Sequence, residues 1–97
     1  MNKPLYFDRQ GRPMELLEWA KAFENKDRQL AQDFVGDVRV STVWLGLDHR
    51  FGGGGRPLIF ETMVFGGPLD GEQDRYSTEE QAMAGHAAML KRVTGVL

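Results

Sequence analysis

Apolar and β-branched residues crowd two stretches of the chain, 38–47 and 58–65. In the first, Val38, Val40, Thr42 and Trp44 fall on one parity, and Val43, Leu45 and Leu47 follow the polar Arg39 and Ser41 on the other. A period of two predicts a strand, and apolar residues on both parities of its second half predict a central strand covered on both sides. The second stretch has the same character and breaks at Gly66-Gly67-Pro68. Residues 29–35 read two ways. Leu30, Gln32 and Phe34 alternate as in a strand, while Leu30, Ala31 and Phe34 also suit one helical face. Gly36-Asp37, set between two extended runs, favours a strand and a two-residue hairpin. Leu5-Tyr6-Phe7 reads as a short extended stretch and residues 73–76 as a short edge strand.

Two segments carry helical periodicity. In 14–24, Leu16, Trp19, Ala20 and Phe23 recur at helical spacing, with Pro13 as the opening residue and Glu15 and Glu18 near the positive end of the dipole. Asp8-Arg9-Gln10-Gly11 before it has turn composition. Ser77-Thr78-Glu79-Glu80 has the form of a capping box, Ser77 capping and Glu80 reaching back. It predicts a helix from 78 to about 93, with Lys91 and Arg92 at its C-terminal end. These elements predict an α+β fold in one domain over 1–97: a three- or four-stranded antiparallel sheet with two helices on one face. The alternative makes 29–35 helical and the sheet smaller.

Composition narrows the function classes. The net charge of −2 argues against a dedicated nucleic-acid binder. The absence of cysteine excludes disulfides and thiolate chemistry and fits a reducing cytoplasm. Residues 1–4 lead into no apolar segment of the signal-peptide kind, and no run has the length of a membrane span. Between Asp70 and Glu80 five acids face Arg75 alone, a pattern typical of solvated turns and helix starts.

The candidate chemistry gathers around the loop 48–57, where Gly52-Gly53-Gly54-Gly55 is flanked by Asp48, His49, Arg50, Phe51 and Arg56. Consecutive free N–H groups form anion-binding nests, and Arg50 and Arg56 would add charge, with Trp44 or Phe51 available to stack a base. The loop is neither a P-loop nor a dinucleotide fingerprint, since no Gly-Lys-Ser/Thr and no helix follow. His86 lies in the middle of the apolar stripe Ala82, His86, Met89, Val93 and needs a polar partner if buried. Gly85 beside it would let the helix approach the sheet closely. Glu61 interrupts an apolar strand on the parity of Ile59, Met63 and Phe65, opposite Trp44 or a neighbour, and would meet His86 if that face carries the helix. His49 and His86 have no local ligand spacing, no nucleophile motif is present, and no cofactor or metal is expected.

Several stretches together carry a family resemblance: Val40-Ser41-Thr42-Val43-Trp44-Leu45-Gly46-Leu47-Asp48-His49, Phe60-Glu61-Thr62-Met63-Val64-Phe65, Arg75-Tyr76-Ser77-Thr78 and Ala84-Gly85-His86, with Asp8-Arg9-Gln10-Gly11-Arg12-Pro13 and Glu18-Trp19 upstream. The chain resembles a family of small proteins from tailed bacteriophages and prophages. The resemblance implies a phage accessory product acting in the cytoplasm of the infected bacterial host. It assigns no functional residues. Three functions then compete. The first is a non-enzymatic protein that binds a host or phage protein, inhibition of a defence system such as CRISPR–Cas being one form. The second is a nucleotide or phosphate binder using the glycine loop, and the third is a metal- or histidine-dependent hydrolase built from Asp48, His49, Glu61 and His86. Apolar residues on both sheet faces further predict a homodimer, closed by sheet-face packing or by an edge strand.

Overall fold

The computed structural model describes residues 5–24, 26–48 and 55–97. Short strands β1 (Tyr6–Phe7) and β2 (Pro13–Met14) precede helix α1 (Leu16–Phe23) and a 3₁₀ turn at Lys26–Arg28. Strands β3 (Gln29–Val35), β4 (Val38–Trp44), β5 (Phe60–Phe65) and β6 (Gln73–Tyr76) follow, and helix α2 (Glu79–Val96) comes last. The four longer strands form one antiparallel sheet in the order β3-β4-β5-β6. The fold is therefore α+β, with the strand reading of 29–35 correct. Gly36 has φ +60°, while Asp37 stays outside the left-handed region, the pattern of a II′ hairpin turn that keeps Val35 opposite Val38.

The sheet faces divide by parity. Val38, Val40, Thr42 and Trp44 on β4, and Phe60, Thr62 and Val64 on β5, are buried under α2. Val40 and Val64 pack with Met89 and Val93 of α2 in one core cluster. Each such side chain contributes roughly 1.5–3 kcal/mol on full burial. A second cluster joins Phe7, Trp44, Ile59, Phe60 and Ala82, with Trp19 and Phe23 of α1 packed on it.

Several boundaries differ from the sequence expectation. Pro13 does not open α1. Pro13 and Met14 pair with Phe7 and Tyr6, and the hairpin is closed by Asp8, whose Oδ1 accepts from the N–H groups of Gln10 and Arg12, both at 2.9 Å. The helix starts one turn later, where the Glu18 carboxylate accepts from the Glu15 N–H at 3.3 Å. Strand β4 ends at Trp44 because Leu45 and Gly46 both donate to the Ile59 carbonyl, at 2.8 and 3.2 Å, breaking the regular ladder. The chain then turns through Gly46, at φ +68°, and Leu47 bridges to Tyr6. The same irregularity sends Ile59 into the core instead of onto the face of Glu61. Helix α2 is capped by Thr78, not Ser77: the Thr78 hydroxyl accepts from the Gln81 N–H, and the Gln81 side chain accepts from the Ser77 N–H, both at 3.1 Å. The helix runs on to Val96, so Lys91 and Arg92 lie before its last turn. Helix α2 covers the sheet, packing against all four of its strands, while α1 packs beside β1 and the 3₁₀ turn. The two helices thus do not share one face. Among the described residues, no helix is long and apolar enough to cross a membrane.

Candidate functional site

His86 sits where the helical stripe predicts, buried between α2 and the sheet. Its Nε2 lies 2.8 Å from Asp33 Oδ2 on β3, and its Nδ1 lies 2.7 Å from the Thr42 hydroxyl on β4. Thr42 is paired with Thr62 on β5, and their hydroxyl oxygens are 2.5 Å apart. In the tautomer whose Nε2–H donates to the Asp33 carboxylate, Nδ1 accepts a hydrogen bond from the Thr42 hydroxyl, and Thr62 in turn donates to Thr42. One histidine thereby ties α2 to three strands. The order carboxylate, imidazole, hydroxyl matches that of acyl-transfer triads. Here, however, Thr42 is 0% exposed, so no substrate carbonyl reaches it. The arrangement is a clasp holding helix to sheet.

The clasp ends near Tyr76 on β6. The phenol oxygen is buried beside Thr62 without completing a hydrogen bond to it. Burial raises the phenol pKa above 10.0, Asp74 adds to the rise, and the Thr62 hydroxyl opposes it. Gly85 makes room for this ring, since a Cβ there would overlap Tyr76 Oη, Cζ and Cε1. Gly85 therefore does bring the helix close to the sheet.

The other expected site residues are held apart. Glu61 lies on the face opposite α2, opposite Val43, and accepts a hydrogen bond from Arg75 Nε at 3.0 Å. It does not meet His86, because His86 sits on α2, which packs on the other face of the sheet. Trp44 is buried in the core, with its indole N–H donating to the Phe7 carbonyl at 3.1 Å. Asp48 spans the neck of the glycine loop, its Oδ1 accepting from the Leu58 N–H at 3.3 Å. The exposed Arg56 receives the Ser77 hydroxyl on its carbonyl at 3.4 Å. His49, Arg50 and Phe51 lie outside the described residues. Among the described residues, no group of three or more His, Cys, Asp or Glu side chains could hold a metal ion.

What the sequence reading missed is the groove on the open face. Val43, Leu45, Met63 and Phe65 form the floor of a hollow of about 640 Å³. Arg28 and Arg39 line it with their guanidinium groups laid on phenyl rings, 4.6 Å from Phe23 and 4.1 Å from Phe65. The Arg39–Phe65 contact is a cross-strand pair, legible only once the register is known. Glu24 and the paired Glu61 complete the charged lining. Comparison of the chain with protein families, curated proteins and solved structures finds no match.

Proposed function

We propose that this chain is a phage accessory protein that binds another protein, from the host or the phage, through the open face of its sheet. The observation that carries the reading is that face. Helix α2 covers one side of the sheet, and the other side is a concave surface with an apolar floor and a charged rim. A sheet buries its apolar face against another layer, and here that layer is supplied by a partner. The phage resemblance supplies the setting, an infected bacterial cytoplasm, in which blocking a host defence system such as CRISPR–Cas is one form of the activity. The clasp at His86 supports the same reading, because it uses the chain's buried histidine and both core threonines to hold the fold.

The test is capture from infected-cell lysate with the purified protein as bait. A specific partner is expected on the wild-type protein and on a control with Ala84→Arg on the exposed side of α2, and not on Met63→Arg, with folding of all three checked by circular dichroism. A partner held equally by Met63→Arg, or tight binding of a small molecule with no protein captured, refutes the reading.

A further inference from the structure

We infer that the groove on the open face takes an acidic, apolar-centred peptide segment of its partner, held by Arg28 and Arg39. The inference rests on the reading of this face as a partner surface and adds the chemistry of what docks there.

The arginines of the chain fall into distinct groups. Arg9, Arg12, Arg75 and Arg92 each meet a carboxylate: Glu79 at 3.6 Å, Asp8 at 2.9 Å, Glu61 at 3.0 Å and Glu72 at 2.6 Å. Among the described residues, the exposed Arg56, which does not line the groove, has no carboxylate partner, and neither have Arg28 and Arg39. Both line the same groove, each laid over an aromatic ring, and Arg39 also donates to Gln32 at 3.2 Å. Stacking fixes a guanidinium and leaves its edge N–H groups, apart from the one Arg39 gives to Gln32, to donate to a carboxylate, so these two groups are pre-organised donors to acids. Glu61 adds little opposing charge because Arg75 neutralises it. Glu24 stands as an exposed carboxylate at the end of α1.

The spacing sets the shape of the ligand. Arg28 precedes Gln29, which pairs with Val43, and Arg39 lies four residues before Val43 along β4. Four residues of strand span about 13 Å at about 3.3 Å each. An extended segment with acidic residues four apart matches this distance and puts both acids and the residue midway between them on one face, so that an apolar middle residue rests on Met63, which pairs with Ser41 midway between Arg39 and Val43. Paired charges at the ends of an apolar floor give orientation and register as well as attraction.

The probe is a synthetic heptapeptide of sequence serine–glutamate–leucine–phenylalanine–leucine–glutamate–serine, titrated calorimetrically into the full chain beside counterparts with glutamine or lysine in place of glutamate. The glutamate peptide is expected to bind at least about tenfold more tightly than either counterpart, and to weaken with added salt. Arg28→Gln and Arg39→Gln are each expected to raise its Kd by about tenfold while leaving the circular dichroism spectrum unchanged. Equal binding of all three peptides, preference for the lysine peptide, or no binding overturns the proposal. A second copy of the chain is the rival occupant, and a dimer that Met63→Arg dissociates and the glutamate peptide does not would hand the groove to it. A cellular partner lost on Met63→Arg but kept by the Arg28→Gln, Arg39→Gln double variant overturns the acidic ligand and leaves the partner surface standing.

Discussion

Replacing Gly85 by alanine sets two known effects against each other at one atom. In the middle of α2, alanine is favoured over glycine by about 1 kcal/mol through helix propensity. The added Cβ, however, falls on the end of the Tyr76 ring, overlapping Oη, Cζ and Cε1. A ring end does not yield as a flexible side chain would, and α2 cannot lift freely, because the next residue is His86, clasped to Asp33 and Thr42. Overpacking of this kind costs about 1–3 kcal/mol, and the rigid surroundings place it near the upper value. Gly85→Ala is therefore expected to destabilise the protein by about 2 kcal/mol net of the propensity gain. The double-mutant cycle is sharper. In a Tyr76→Ala background the clash is gone, and the same substitution should stabilise by about 1 kcal/mol, a coupling of about 3 kcal/mol. In a Tyr76→Phe background only Oη is removed, Cζ and Cε1 still overlap, and Gly85→Ala should remain destabilising. Urea denaturation of the two single Tyr76 variants, Gly85→Ala and the two doubles measures all of these. If Gly85→Ala is neutral or stabilising in the wild type, or if its coupling to Tyr76→Ala is under about 0.5 kcal/mol, the close approach is wrong.

Other consequences are open to the same kind of measurement. Burial alone would raise the pKa of Asp8, but hydrogen bonds from the Arg12 N–H, the Arg12 guanidinium and the Gln10 N–H outweigh it and hold the carboxyl below 3.8. Its contribution to stability is thus complete above 3.8 and lost as pH falls through the lowered pKa, so Asp8→Asn should flatten the acid limb of a stability–pH curve below 3.8. The Tyr76 pKa is raised, so stability is lost as pH rises past 10.0, and Tyr76→Phe should remove that loss. At neutral pH the same variant should cost under about 1 kcal/mol, because the hydroxyl has no partner to lose; a larger cost would show a hydrogen bond there. His86→Leu leaves the Thr42 and Thr62 hydroxyls to each other in the core and should cost about 2–3 kcal/mol by chemical denaturation, a neutral result refuting the clasp. Sedimentation equilibrium at micromolar concentration should find a homodimer paired along β3, an edge strand of seven residues without Lys, Arg or Pro, where Phe34 is 63% exposed. Phe34→Lys should break that dimer and Met63→Arg should not, and a monomeric wild type refutes it.

Period and turn chemistry made much of the architecture readable. The stripe Ala82, His86, Met89, Val93 is the buried face of α2, because 3.6-residue periodicity is a property of the helix alone. Gly36-Asp37 resolved the strand at 29–35, since a two-residue turn of that type closes a hairpin and little else. Pro13 misled for a physical reason: its fixed φ suits the first turn of a helix and an extended residue alike, and pairing with β1 decided between them. The site was less visible. Asp33 reads as a solvated residue in an alternating strand, and only folding brings it to His86, 53 positions away. Thr42 and Thr62 read as strand formers, and their pairing depends on a register that 58–65 alone does not define. Arg28 and Arg39 carry no local motif. Their meaning comes from the rings they stack on, Phe23 five residues before Arg28 and Phe65 across the sheet from Arg39.

Both tryptophans flank Gly46, where a Cβ would overlap the Trp44 ring and lie 2.7 Å from Trp19. Each indole N–H is spent on a carbonyl of the neighbouring layer, Trp19 on Leu45 at 2.8 Å and Trp44 on Phe7 at 3.1 Å. The chain's tryptophan fluorescence therefore comes from one seam, between the N-terminal hairpin with α1 and the end of the main sheet. Tryptophan emission wavelength, collisional quenching and anisotropy would all follow the opening of that seam, without a label, while the Thr42–His86 clasp has Tyr76 near its end and contains no tryptophan. A chain of this size thus carries its own gauge for whether its N-terminal layer and its sheet come apart together or in turn.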